Sequence, residues 1–154
     1  MKKTSRTFHE IASDYCDWIE RSIERGNLAE WLPGILADLI HAAFCLAEDD
    51  SPDVGAGDFH VRECNRDAAR LPSLPFRHYR EVFDAFDFDS EPVIASLDDD
   101  LYDIYGDLAK GFKIARQVSP AEAKRYWSES FSIHWGEHAT GALRALYCAH
   151  RHNE

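Results

Sequence analysis

An all-α fold, a single-domain irregular bundle of five or six helices, is predicted by three features of the sequence. Apolar residues recur at three- and four-residue steps through several long segments. Cap-type residues stand where those segments begin. The interruptions between them are short enough to join elements of one domain. The chain has 154 residues, 45% of them apolar, with four Trp, nine Phe and six Tyr. That is enough bulky material for one core and too short a chain for two.

The first helix is expected to begin near residue 8, because Phe8, Ile11, Tyr15, Ile19 and Ile23 fall on one face with Trp18 beside them. Gly26 suits a stop and Asn27 a new cap, so a second helix is placed from about residue 28, carrying Trp31, Ile35, Leu39 and Leu46. Pro33 is compatible with the opening of that helix, where a missing amide costs little. EDDSPDVGAGD, residues 48–58, reads as a polar loop. A short helix is placed over 59–69, ended by Pro72 and Pro75. Tyr79, Val82, Phe83 and Phe86 then predict a helix from about Phe76 to Phe86, followed by an extended connection over DFDSEPVIAS. From residue 97, Leu97, Leu101, Ile104 and Leu108 define a buried face, Ser96 a cap, and Asp98, Asp99 and Asp100 an acidic first turn matched to the helix dipole. Ser119, Pro120 and Glu122 open the last helix with a cap, a first-turn proline and a capping-box carboxylate. Gly136 and Gly141 inside it call for close approach of a neighbouring helix or a kink near the histidines.

Formal net charge is -11, and between Glu81 and Asp107 ten carboxylates occur without a Lys or Arg. Such a surface repels phosphate, so nucleic acid is not an expected partner; a solvated acidic face, a docking surface for a basic partner, or a cation site fits it. The opening MKKTSRTFHE passes straight into an amphipathic pattern, and no stretch reads as an uninterrupted apolar span of roughly 20 residues. A cytoplasmic protein without membrane contact is therefore expected. Cys16, Cys45, Cys64 and Cys148 have no C-x-x-C spacing and read as small buried hydrophobes in a reducing compartment.

The chemistry-bearing stretch is SFSIHWGEHATGALRALY. His134, Glu137 and His138 form H-x-x-E-H, the inverted zinc-protease arrangement. Histidines four apart share a helix face and can hold one metal ion. A third ligand is needed, for which Asp100, Asp103, Asp107 and His41 qualify by position, and Glu137 would handle the proton of a bound water. The competing reading makes both histidines partly buried polar residues, each hydrogen-bonded to a carboxylate or a carbonyl. A di-iron bundle would need two Glu-x-x-His pairs, whereas the chain offers one Asp38–His41 pair. Ser130 and Ser132 lack a nucleophile elbow, and GAG at 55–57 lacks the lysine of a phosphate loop.

The blocks EPVIASLDDDLYDIYGDLAKGF, residues 91–112, and WSESFSIHWGEHATGALRALY, residues 127–147, together with FHEIASDYCDWIE near the start, resemble the bacterial domain of unknown function numbered 5063. The resemblance implies a small, mostly helical bacterial protein and carries no catalytic set onto these positions. It singles out Asp99, Asp103, His134 and Arg144 as a polar network between the last two long helices. It does not carry an acid–base role to Glu137, since the residue between Gly136 and His138 varies across the family.

The expected function is that of a small interaction or small-ligand-binding protein, with a metal-dependent hydrolase as the alternative. The expected polar pocket comprises Asp99, Asp103, His134, Trp135, His138 and Arg144, and the expected metal ligands are His134, His138 and Asp103. No cofactor is expected other than a divalent metal at that set. An unidentified protein or small molecule is the expected partner, and Trp18, Trp31, Trp127 and Trp135 are available to anchor a homo-oligomer.

Overall fold

A computed structural model describes residues 6–46 and 62–153. The polar loop expected at 48–58 and the first residues of the helix expected at 59–69 lie outside these. The described chain is mostly helical. Helix α1 spans Phe8–Arg21, α2 Leu28–Leu46, α3 Leu97–Gln117, α4 Pro120–Ser130 and α5 Gly136–His152. A π-helical turn, Phe131–Trp135, joins α4 to α5, and a 3-10 turn covers Arg66–Ala68.

Each start and stop has a local cause. The Thr7 hydroxyl accepts from the Glu10 amide while Glu10 accepts from the Thr7 amide, a reciprocal capping box at α1. Ser22 takes a left-handed backbone conformation with φ 50° just past Arg21, ending α1 earlier than its Ile23 suggested. Asn27 Oδ1 accepts from the Ala29 amide at 3.1 Å, as its cap chemistry predicts. Ser119 caps α4 through the Glu122 amide. Ser96 stands before α3 with extended backbone, yet its hydroxyl bonds the Asp98 carboxylate instead of an orphan amide. That bond lowers the Asp98 pKa, and Arg77 and His78 reinforce it.

The helix expected over Phe76–Phe86 is replaced by strand β1, His78–Glu81, paired antiparallel with β2, Val93–Ser96. The register sets His78 opposite Ser96 and Glu81 opposite Val93. Helical spacing of Tyr79, Val82, Phe83 and Phe86 was outweighed by cross-strand pairing with the extended VIAS segment, whose Val93 and Ile94 favour a pleated surface. Alternation survives as a signal: Tyr79 and Glu81 are half-buried, His78 and Arg80 exposed. The short helix expected at 59–69 is reduced, among the described residues, to its 3-10 turn. Arg62 there bonds Asp17 at 2.6 Å and the Ser13 carbonyl at 2.9 Å, and it pairs with Glu20.

The core lies where α1, α2, α3, α4 and α5 meet. Leu97, Leu101, Ile104 and Leu108 are fully buried, as their periodicity predicts. Tyr15 of α1 donates to the Leu101 carbonyl at 2.7 Å, and Trp127 of α4 donates to the Leu108 carbonyl at 3.2 Å. These bonds satisfy polar atoms that the core would otherwise strand. Trp18, Trp127 and Trp135 are buried, and Trp31 packs on Trp18 with ring centroids 5.0 Å apart. Trp18, Trp127 and Trp135 thus belong to the interior, and Trp31 is partly buried against it. Of the cysteines only Cys16 is buried; Cys45 is exposed and Cys64 and Cys148 are intermediate.

One segment departs from the membrane expectation. Helix α2 has the length and composition to cross a bilayer, by those two criteria alone. Here its Leu32, Ile35, Leu36, Leu39 and Ala43 enter the core, while Glu30, Asp38 and His41 are exposed.

Candidate metal centre

Helix α3 presents Asp100, Asp103 and Asp107 at three- and four-residue steps, on a face that flanks its leucine face, with Asp100 buried at the boundary. The π turn and the start of α5 lie across from them. Within that turn the Gly136 amide donates to the Phe131 carbonyl, the long-range bond that defines it. A Cβ on Gly136 would collide with that carbonyl, so glycine is what lets the wide turn close. His134 sits inside the turn and His138 one turn later, with ring centroids 4.9 Å apart.

Each imidazole has its own aspartate. His134 Nδ1 is 2.6 Å from Asp107 Oδ2, and His138 Nδ1 is 2.8 Å from Asp100 Oδ1. Each aspartate has a tyrosine behind it: Tyr79 donates to Asp100, and Tyr126 donates to Asp107 Oδ1 at 2.7 Å. The two chains, Tyr79–Asp100–His138 and Tyr126–Asp107–His134, leave Nε2 of each ring unused by these bonds. His138 Nε2 is 3.3 Å from Asp103 Oδ2. One ligand atom from each of Asp103, His134 and His138 lies within 4.8 Å of the others.

Burial grades outward. The Asp100 and Asp107 side chains are 7% and 14% exposed, whereas Asp103 and His134 are each 48% exposed. The orienting carboxylates are thus inside, Asp103 and His134 reach solvent, and His138 lies between, 23% exposed. Hydrogen bonding to Asp100 raises the His138 pKa, burial opposes it, and the Asp103 charge adds to the rise. Burial pushes the Tyr79 and Tyr126 hydroxyls far up, each helped by its aspartate, so both remain donors. Glu81 is raised by burial and by the charges of Asp100 and Glu137. Strand β1 reaches this site because Gly141 leaves room: a Cβ there would stand 2.5 Å from Glu81 Oε2 and 2.9 Å from the Tyr79 hydroxyl. The close approach that Gly141 permits is therefore to a strand and not to a helix.

The structure brings together Asp103, His134 and His138 of the residues singled out by sequence. Asp100 and Asp107, considered there as ligands, hold the imidazoles instead, and His41 is exposed on α2, outside the group. Asp99 is exposed beside the cluster and Arg144 lies over the Tyr147 ring at 5.9 Å, so neither joins the network. Trp135 is fully buried, donates to the Trp127 carbonyl at 3.2 Å, and packs on Phe8 and Phe131, so it lines no pocket. Tyr79, Glu81 and Tyr126 were missed. Tyr126 falls eight residues before His134, a spacing that two helical turns would have brought to notice; Tyr79 and Glu81 depend on a strand that spacing misread.

No curated protein and no solved structure matches this chain. The family model described as Domain of unknown function (DUF5063) matches residues 1–152, and the chain belongs to that family.

Proposed function

We propose that this protein binds a divalent transition-metal ion as its small ligand, through Asp103, His134 and His138. The observation that supports this most is the fixing of both imidazoles at Nδ1 by separate aspartates. Histidine ligands in metal sites characteristically donate their other ring N–H to a carboxylate, which sets the tautomer and aims the free lone pair. Two histidines and one carboxylate with open positions suit iron(II), manganese, cobalt or zinc. The bond to Asp100 and the charge of Asp103 raise the His138 pKa, so protons compete with the ion for this ring and uptake is expected to weaken as pH falls.

Protein stripped with chelator and titrated calorimetrically with cobalt, zinc, manganese and, without oxygen, iron(II) in turn is expected to take up about one ion per chain of at least one of them. His134→Ala combined with His138→Ala, with folding checked by circular dichroism, is expected to abolish that uptake. Wild-type protein that acquires none of these ions, or a folded double variant that binds as well as wild type, removes the reading.

A hydrolytic role is the second reading, favoured by Glu137, whose charge reaches His138. Three protein ligands leave a coordination position for water, and Glu137 would hold its proton. On this reading Glu137→Gln keeps ion binding and loses at least about 100-fold in hydrolysis of an activated ester, the range for a general base. Equal rates in the variant and wild type exclude it.

A further inference from the structure

Among the described residues, six of the eleven exposed large hydrophobic side chains lie on one projection. Between β1 and β2 the chain reads VFDAFDFDSEP. Phe86 and Phe88 are 85% and 90% exposed, Phe83 57%, and Ile94 at the return 70%. The loop is built to keep them out. Asp84 Oδ1 accepts from the Phe86 amide at 2.9 Å, the Asp87 amide donates to the Asp84 carbonyl at 3.2 Å, and Asp87 Oδ1 accepts from the Asp89 amide at 3.2 Å. Ser90 closes on the Asp87 carbonyl at 3.2 Å. Two successive Asx turns thus satisfy the backbone locally while Phe86 and Phe88 stay exposed.

We propose that this hairpin tip, residues 82–94, docks into an apolar groove rimmed by Lys and Arg on a different protein. Exposed aromatics on a loop whose backbone is bonded into turns supply the large contact area of interface anchors. The charge pattern chooses the occupant. Asp84, Asp87, Asp89 and Glu91 alternate with the phenylalanines, and no Lys or Arg occurs from Val82 to Ala109. An anionic lipid surface or a nucleic acid would meet carboxylates at each step. A second copy would set two acidic tips against each other in a chain of net charge -11. A basic rim around an apolar groove answers both halves of the pattern. The inference is independent of the metal centre: Tyr79 and Glu81 face that centre from the base of the hairpin, and the phenylalanines do not take part in it.

The test uses the full chain, labelled with nitrogen-15, and three synthetic helical peptides of equal length built from leucine and lysine, leucine and glutamate, or lysine and serine. Amide shifts at 82–94 are expected with the leucine–lysine peptide alone. Affinity is expected to fall at least about 10-fold in Phe86→Ser/Phe88→Ser, and to fall also in Asp89→Asn/Glu91→Gln, which keeps the turn bonds, and at about 0.5 M salt. Equal binding of the lysine–serine peptide would reduce the site to charge alone, and equal binding of the leucine–glutamate peptide to greasiness alone; either overturns the proposal. So would shifts confined to α3. Concentration-dependent dimerisation in sedimentation that Phe86→Ser/Phe88→Ser removes would assign the tip to a second copy instead.

Discussion

Trp127→Ala is expected to lower the unfolding free energy by about 3–5 kcal/mol, the range for deleting a large buried aromatic. The indole is fully buried between Phe8 and Phe112, with ring centroids 5.1 and 5.0 Å away, and its N–H is satisfied by the Leu108 carbonyl. It also fills the space above Gly111, where a Cβ would fall inside the ring. Gly111→Ala alone should therefore destabilise, by about 1–3 kcal/mol from overpacking. In the Trp127→Ala background the same change should reverse sign, because the obstruction is gone and alanine is the better helix former by up to about 1 kcal/mol. Urea unfolding of the four proteins in this cycle measures the coupling directly. A Gly111→Ala effect of the same sign and size in both backgrounds would mean that the α3–α4 contact is not held by this ring in this notch. The contact matters beyond stability, since α4 carries Tyr126 to Asp107 and leads into the turn that holds His134.

What could be read from the sequence divides along the same physical lines. The helices α1, α3 and α4 were legible because each has one apolar stripe and a local start signal, and both properties are encoded within a few residues of each other. The β hairpin was not: Phe76–Phe86 has helical spacing, and only pairing with residues 93–96 across an eleven-residue loop decides for strand. The π turn was invisible for a similar reason. One extra residue per turn changes no composition, and Gly136 was its only trace. Of the site, the histidine pair and the aspartate face of α3 were visible as separate helical patterns. Which aspartate ligates and which orients depends on how α3 packs against α5, and no spacing rule contains that. Arg144 and Trp135 illustrate the converse: adjacency along a helix to a chemical residue placed them near the site in sequence, while the helix turned them elsewhere.

Asp100→Asn and Asp107→Asn are each expected to weaken metal binding about 10–100-fold, the usual effect of removing a carboxylate that orients a histidine ligand. Neither aspartate belongs to the ligand set. Their effect comes from the tautomer: a carboxylate only accepts, which obliges Nδ1 to carry the hydrogen and Nε2 the lone pair, whereas an amide can also donate and stabilise the opposite form. The two residues lie seven positions apart on α3, about 10 Å along its axis, and hold different imidazoles. Both imidazoles serve one ion, with rings 4.9 Å apart, so the two effects are coupled and the double variant measures how far they depart from additivity. Asp99→Asn, exposed and outside the network, should leave affinity unchanged. Cobalt titration of each folded variant gives the affinities, and nitrogen-15 shifts of the imidazoles in metal-free protein give the tautomers. A merely structural role would lower stability without moving the tautomer. Retention of the Nδ1-protonated form with unchanged affinity in both variants would mean that Asp100 and Asp107 pack against the histidines without aiming them.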